Sequence, residues 1–168
     1  RIRKEHKGSR RGSPSPRMIK VGTTLNRSLF SSGRSDWRTP TQIIEAIRTE
    51  FPFTLDAAAS MENTAGRRYF DIENDALSQT WNGVVWCNPP YGRRVDRWLI
   101  KGAESADAGA VVVFLLPART DTAWFHEIVL PRAEVRFLRG RLKFGGAKHS
   151  APFPSMLAIF HPPTEFQI

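Results

Sequence analysis

The fold of this chain is decided by one short stretch of its sequence, Cys87-Asn88-Pro89-Pro90-Tyr91-Gly92. An apolar run over residues 84–86 precedes this stretch and predicts a buried strand. The two prolines end the strand, because proline donates no backbone N–H to a sheet and restricts the residue before it. The sequence therefore predicts a stiff loop at the carboxyl end of a strand, where open α/β sheets bind their ligands.

The chemical groups of this loop suit a planar molecule that bears an amino group. The loop offers an amide side chain, backbone carbonyls with few donors close by in sequence, and the aromatic ring of Tyr91. The plainer alternative is a Pro-Pro turn that only ends a strand. The fuller pattern Asn-Pro-Pro-Tyr, directly after an apolar strand, favours a functional loop.

Length and composition are those of an ordinary globular domain. The 168 residues (19.0 kDa) are 40% hydrophobic and 24% charged. No apolar run approaches the ~20 residues that span a bilayer, so we expect no membrane contact. The single cysteine, Cys87, excludes an internal disulfide framework and a multi-cysteine metal site. We therefore expect the protein to work in a reducing cytoplasm and to bind no metal. Cys87 is expected to be a small buried apolar side chain.

Positive charge is concentrated in two segments. Residues 1–35 contain ten basic residues and one acidic residue, which accounts for the whole net charge of +9. This composition predicts a disordered tail that binds nucleic acid. The alternative is that these residues are vector-derived or translated from upstream sequence, with Met18 as the native start. Residues 132–148 contain six basic residues and Glu134, and we expect this excess at the ligand-binding face.

The ordered domain is predicted over residues 36–168, as an α/β fold. Thr39 is expected to cap a first helix, with Pro40 at its first position and Gln42 completing a capping box. Further helices are predicted over 93–107 and 121–130, a short helix or turn over 76–81, and strands over 53–57, 84–87, 110–116, 134–138, 142–144 and 155–160. The alternation predicts an open, mostly parallel sheet with helices on both faces.

Seven segments together resemble the phage-type, Dam-like DNA N6-adenine methyltransferases of bacteriophages and prophages. The similarity extends from about residue 31 to residue 162, over segments 35–40, 53–56, 75–81, 87–92, 115–122, 139–148 and 150–155. The resemblance implies a Rossmann-like fold, S-adenosylmethionine as methyl donor and adenine in double-stranded DNA as acceptor. It also implies a location in the cytoplasm of the bacterial host.

The resemblance assigns the catalytic role to Asn88, Pro89, Pro90 and Tyr91. An exocyclic adenine amine is a poor nucleophile, because its lone pair is delocalised into the ring. The Asn88 side-chain oxygen and the Pro89 carbonyl can accept its two N–H groups, in bonds that strengthen as positive charge develops on nitrogen. Tyr91 would stack on the adenine once it has left the duplex, and a core aromatic is the alternative role for Tyr91.

The resemblance also implies a set of cofactor contacts, which lie at the start of the first helix and near predicted strand ends. They are Thr39, Pro40, Asp56, Ala57, Asp75 and Asn88. Helix capping is the alternative role for Thr39, Pro40 and Asp56, while Asp71 and Glu73 compete with Asp75. The family often has Pro-Cys after Leu-Asp, where this chain has Ala57-Ala58-Ala59. These small residues still permit close approach of the backbone to a cofactor.

The implied DNA contacts are basic: Arg119, Arg139, Arg141, Lys143 and Lys148. Gly145-Gly146 would let the backbone approach DNA closely. A solvated charged face is the alternative for the basic segment, and Arg119 could equally contact the cofactor carboxylate.

For the whole chain, the alternatives are methylation of cytosine N4, an RNA base or a glutamine side chain, and a nucleic-acid-binding module with a decayed catalytic site.

Overall fold

The computed structural model describes residues 38–145 and 147–164 of the chain. The predicted basic tail, Asp36, Trp37 and Gly146 therefore lie outside the described residues. The elements in chain order are α1 (Thr41–Arg48), β1 (Leu55–Asp56), β2 (Arg68–Tyr69), a 3₁₀ turn (Ala76–Ser78), β3 (Val84–Cys87), α2 (Val95–Asp107), β4 (Val111–Pro117), a π-helical segment (Phe125–Val129), α3 (Leu130–Arg132), β5 (Glu134–Phe137) and β6 (Ser155–Phe160).

The six strands form one sheet in the order β2-β1-β3-β4-β6-β5. The pairs β1–β2, β1–β3 and β3–β4 are parallel, whereas β6 is antiparallel to both β4 and β5. The predicted open α/β sheet is thus confirmed, and its mostly parallel character is confirmed only in part. The reversed strand β6 was not predicted, because a fully buried strand has the same apolar pattern in either direction.

The sheet has a topological switch point between β1 and β3. From β1 the chain passes to β2 on one side, and it then returns to β3 on the other side. A crevice forms where connections leave in opposite directions, outside the carboxyl ends of the two strands. The residues that follow β1 and β3, beginning with Ala57 and Asn88, therefore border the position where this type of sheet binds its ligands.

Both faces of the sheet are covered, and strand β4 contributes to both cores. Val112, Phe114 and Leu116 point to one side, where α2 and the π-helical segment pack. Val113 and Leu115 point to the other side. That second side is covered by the apolar residues of α1 and by Phe51, Phe53, Phe144 and Phe153. Two-sided burial explains why β4 is apolar throughout.

Two predicted elements differ from the observed ones, and one observed strand was not predicted. The strand expected over 142–144 is wrong: this segment is an irregular connection between β5 and β6, in which Phe144 is buried. The segment expected as a helix over 121–130 is helical over residues 123–132, but its middle part is the π-helical segment rather than α-helix. Strand β2 was missed, because a two-residue edge strand that begins with an arginine has no apolar periodicity.

The first helix begins later than predicted. Pro40 is its N-cap residue, with φ −57° and ψ 135°, and α1 itself starts at Thr41. The Pro40 carbonyl accepts the N–H groups of Ile43 and Ile44 at 3.0 and 3.2 Å. No side chain caps α1, so the predicted capping role of Thr39 is wrong. The hydroxyl of Thr39 instead contacts the loop that follows β3.

Candidate active site

The side chain of Asn88 is held at both ends of its amide. Its Nδ2 donates to Oγ1 of Thr39 at 3.2 Å, and its Oδ1 accepts from the hydroxyl of Tyr91 at 2.7 Å. Thr39 directly precedes Pro40 and α1, 49 residues before Asn88 in the chain. The fold thereby brings together three of the residues that the sequence had suggested for the site.

Tyr91 turns its hydroxyl toward the sheet and its ring toward the second core. The hydroxyl lies 3.2 Å from the backbone oxygen of Leu115 as well as 2.7 Å from Asn88 Oδ1. Since a hydroxyl has one proton, it can donate to only one of these oxygens at a time. Burial raises the pKa of Tyr91 well above its usual range, so the hydroxyl stays protonated. The ring packs edge-on against Phe153 and Phe144, with centroids at 5.7 and 6.5 Å.

A cavity of about 820 Å³ opens beside Tyr91. It lies at the carboxyl end of β4, between the start of α2 and the residues around the π-helical segment. Its lining combines the aromatic side chains of Tyr91, Trp124 and Phe153 with Arg93 and Arg119. Ligand pockets in proteins usually enclose about 300–1,000 Å³, so this cavity is large enough for a nucleobase with its sugar.

Asp56 directs its carboxylate into the protein. The residue is only 2% exposed, and its two oxygens accept the backbone N–H groups of Ala58 at 3.2 Å and Ala65 at 2.8 Å. Burial raises the pKa of Asp56 to about 6, against the lowering effect of these two hydrogen bonds. In this arrangement Asp56 shapes the loop that follows β1. Ala57 is fully buried beside it, and its N–H donates to the Trp86 carbonyl at 2.8 Å.

Asp75 lies on an exposed turn that follows the end of β2. It adopts a left-handed conformation (φ 42°), and its carbonyl accepts from the N–H and hydroxyl of Ser78 at 2.9 and 2.8 Å. The competing acid Asp71 accepts the N–H of Glu73 at 3.0 Å. The backbone carbonyl of Phe70, the residue that follows β2, accepts the N–H of Ala59, which joins this region to the loop after β1.

The basic segment contributes fewer cations to the site face than its sequence suggested. Arg132 pairs with Asp107 at 2.5 Å, and Arg136 forms a bidentate pair with Glu50 at 2.6 and 2.7 Å. The expected excess over residues 132–148 is therefore partly neutralised by acids elsewhere in the fold. The exposed cations that extend from the connection between β5 and β6 are Arg139, Arg141, Lys143 and Lys148.

Arg119 lies at the cavity and forms a two-pronged contact with Asp121. Its Nε and one terminal nitrogen lie 3.1 and 3.3 Å from the two carboxylate oxygens, and this contact lowers the pKa of Asp121. A guanidinium held in this way keeps a fixed orientation at the cavity lining. It remains a prediction that Arg119 binds DNA or a cofactor carboxylate.

Within residues 38–145 and 147–164, no group of three or more histidine, cysteine or acidic side chains could hold a metal ion. Across the same residues, no helix is both long and apolar enough to cross a membrane. Cys87 is fully buried, and burial raises the pKa of its thiol well above the usual range. This agrees with its predicted role as a small apolar side chain.

Sequence reasoning missed the aromatic support of Tyr91. Phe144 is 1% exposed although its sequence neighbours Lys143 and Gly145 are exposed, and Phe153 is 7% exposed between two prolines. A single apolar residue inside a basic, glycine-rich segment was the available signal for Phe144. Trp124 was likewise assigned only to a predicted helix, whereas it lines the cavity.

The sheet with its switch point, and the Asn-Pro-Pro-Tyr loop at that point, define the class of this protein: it has a Rossmann-like methyltransferase fold. The chain belongs to the DNA N-6-adenine-methyltransferase (Dam) family, whose profile matches residues 27–165. The predicted family resemblance is confirmed.

Two relatives are both named DNA N-6-adenine-methyltransferase. The protein of Escherichia phage T1 is 35% identical over 112 residues, which are 65% of this chain and 47% of the relative. The protein of Haemophilus phage HP1 (strain HP1c1) is 28% identical over 140 residues, which are 78% of this chain and 81% of the relative. The chain thus spans about half the length of the phage T1 relative.

Proposed function

We propose that this chain transfers a methyl group from S-adenosylmethionine to the N6 amine of an adenine in double-stranded DNA. The observation that carries this proposal is the Asn88 amide, which is held at both ends and accepts from Tyr91, a residue that lines a cavity of nucleoside size at the carboxyl edge of the sheet. The name of the family, and the names of the two phage relatives, supply the acceptor.

Asn88 and Pro89 accept the two hydrogens of the target amine. An amide oxygen has two lone pairs, so Asn88 Oδ1 can accept from the amine while it still accepts from Tyr91. Both acceptor bonds strengthen as the amine nitrogen becomes positively charged, which stabilises the transition state more than the bound substrate. Pro90 keeps the loop stiff, and the ring of Tyr91, at the cavity lining, stacks on the flipped adenine.

The crevice between the ends of β1 and β3 suits S-adenosylmethionine. Switch points of parallel sheets bind nucleotide-like ligands, and Ala57 and Asn88 border this one. Thr39 contacts Asn88, and Pro40 follows Thr39 in the chain. Asp75 lies on the neighbouring loop as an acid for hydroxyl groups. Asp56 acts indirectly, because its oxygens hold the backbone of the loop. When bound, S-adenosylmethionine supplies an electrophilic methyl group.

The experiment that tests the activity is nucleoside analysis by mass spectrometry. Plasmid DNA from an adenine-methylation-deficient host that expresses the chain should contain N6-methyladenine. A hydrogen bond to a developing charge contributes ~1.5–3 kcal/mol of stabilisation. Its loss should therefore slow methyl transfer by the purified Asn88→Ala variant about 10- to 100-fold. The control is Asn82→Ala, because Asn82 is exposed just before β3. Absence of N6-methyladenine with the unchanged chain would contradict the proposal.

The same assay separates the alternative acceptors. N4-methylcytosine, a methylated RNA base or a methylated glutamine as the product would each replace adenine in the proposal. A decayed binding module would instead give DNA binding without any heat of S-adenosylmethionine binding in calorimetry. A location in the host cytoplasm stays a prediction.

The exposed cations Arg139, Arg141, Lys143 and Lys148 are proposed to contact DNA phosphates. Each phosphate contact contributes about −0.9 to the slope of log K against log salt concentration. Arg141→Ala should therefore reduce the magnitude of the slope by about one and weaken binding equally on different sequences. Arg132→Ala is the matched control, because Arg132 pairs with Asp107. Equal slopes for all three proteins would exclude Arg141 as a phosphate contact.

A further inference from the structure

The contact between Thr39 and Asn88 joins two segments that are far apart in the chain. Thr39 does not cap α1, and its Oγ1 accepts the Asn88 Nδ2–H at 3.2 Å. The contact is partly buried, at the edge of the sheet where the loop after β3 begins. A role for Thr39 as a helix cap is thus excluded, and a role in the site is open.

We propose that Thr39 is a positioning residue that fixes the amide plane of Asn88. This inference rests on the proposed function, in which Asn88 Oδ1 accepts a hydrogen of the target amine. The terminal torsion of asparagine is broad and has little intrinsic preference, so its neighbours must set the amide plane. Tyr91 holds the oxygen end and Thr39 holds the nitrogen end. Removal of either contact takes away one constraint on the amide plane.

Positioning and direct cofactor contact predict different kinetics for Thr39. If Thr39 sets the Asn88 plane, its loss lowers kcat and leaves the KM for S-adenosylmethionine unchanged, because Asn88 acts on the amine. If Thr39 binds the cofactor instead, its loss raises that KM. The two roles can therefore be separated in one set of initial-rate measurements.

The test compares Thr39→Val, which is nearly isosteric but lacks the hydroxyl, with Thr39→Ser, which retains it. We expect kcat to fall about 3- to 10-fold in Thr39→Val, as for loss of one neutral hydrogen bond, and to recover in Thr39→Ser. Thr41→Val is the matched control, since Thr41 is exposed at the start of the same helix. In an Asn88→Ala background, Thr39→Val should have no further effect on kcat.

A second readout does not depend on activity. The side-chain amide signals of Asn88 in a ¹H–¹⁵N spectrum, assigned by their loss in Asn88→Ala, should shift in Thr39→Val and be retained in Thr39→Ser. An unchanged kcat in Thr39→Val, a raised cofactor KM or unshifted amide signals would each overturn the inference. If the unchanged chain methylates nothing while the amide signals shift as expected, the proposed function fails and the positioning contact stands.

Discussion

The loops that follow β1 and β3 leave neighbouring parallel strands, yet they are held by different kinds of groups. The loop after β1 is organised by the buried carboxylate of Asp56, which accepts two backbone N–H groups. The loop after β3 is organised by the neutral side chains of Thr39, Asn88 and Tyr91. The first arrangement responds to pH near neutrality, and the second does not.

This difference fits the separate tasks proposed for the two loops. A loop that only borders a cofactor tolerates an ionisable support, since its backbone shape is what matters. A loop that must accept hydrogens from an amine gains from neutral partners whose protonation does not vary. Stiffness also differs, because two prolines and the rings of Phe144 and Phe153 support the loop after β3.

The largest effect is expected from Phe144→Ala, which removes an aromatic support of Tyr91. Phe144 is 1% exposed, and deletion of a buried phenylalanine ring usually costs ~3–5 kcal/mol of unfolding free energy. Urea denaturation at pH 7 measures this cost. Phe137→Ala is the matched control, because Phe137 is 64% exposed and should lose much less. A loss below about 1 kcal/mol in Phe144→Ala would mean that the loop after β3 does not depend on this ring.

An effect of intermediate size is expected from Asp56→Asn, and it should depend on pH. The folded chain holds the Asp56 proton with a pKa of about 6 against an ordinary value of 3.8. Between these values the folded state binds more protons than the unfolded state, so stability falls as pH rises. Relative to Asp56→Asn, the unchanged chain should lose up to ~3 kcal/mol between pH 4 and pH 7.

Urea denaturation of both proteins at several pH values measures this difference. Asp121→Asn is the control, because Arg119 lowers the pKa of Asp121 and the pH dependence of this pair therefore lies below the range from pH 4 to pH 7. The stability that this pair contributes is present above the ordinary pKa of an aspartate and is lost as pH falls below it. If the difference between the unchanged chain and Asp56→Asn stayed constant from pH 4 to pH 7, the Asp56 carboxylate would not be the pH-sensitive support.

The loop after β3 could be predicted from sequence, whereas the loop after β1 could not. Two prolines after an apolar strand fix the backbone by local sterics, so the position of Asn88 at a strand end follows from the residues themselves. The direction of the Asp56 side chain depends on the backbone of Ala65, nine residues further on. An acid at a strand end is compatible with a ligand contact or with a structural one, and only the folded backbone distinguishes them.

The contrast between features set by local sequence and features set by tertiary contacts also explains the other differences from prediction. Strands β3, β4 and β6 have strong apolar patterns and were predicted closely. Phe144 lies in a segment that was predicted as a strand, but its ring is buried through tertiary contacts with Tyr91 and Phe153. Arg136 was counted with the cations of the site face, and only the fold reveals its pairing with Glu50.

The smallest effect is expected from Tyr91→Phe, which keeps the ring and removes only the hydroxyl. Asn88 Oδ1 and the Leu115 carbonyl then lose a shared donor, which should cost ~0.5–1.5 kcal/mol of stability. Methyl transfer should slow by less than about tenfold, because the ring remains for stacking and Thr39 still holds the amide. Tyr91→Ala should be slower, since stacking on a base contributes ~1–3 kcal/mol.

Tyr69→Phe is the matched control, because Tyr69 is a half-buried tyrosine on the edge strand β2. Unfolding free energies and initial rates of the three variants measure both effects. If Tyr91→Phe were as slow as Tyr91→Ala, the hydroxyl would be needed for the chemistry itself. The loop after β3 would then depend on a donated proton as the loop after β1 depends on a carboxylate, and the contrast between a neutral and an ionisable support would fail.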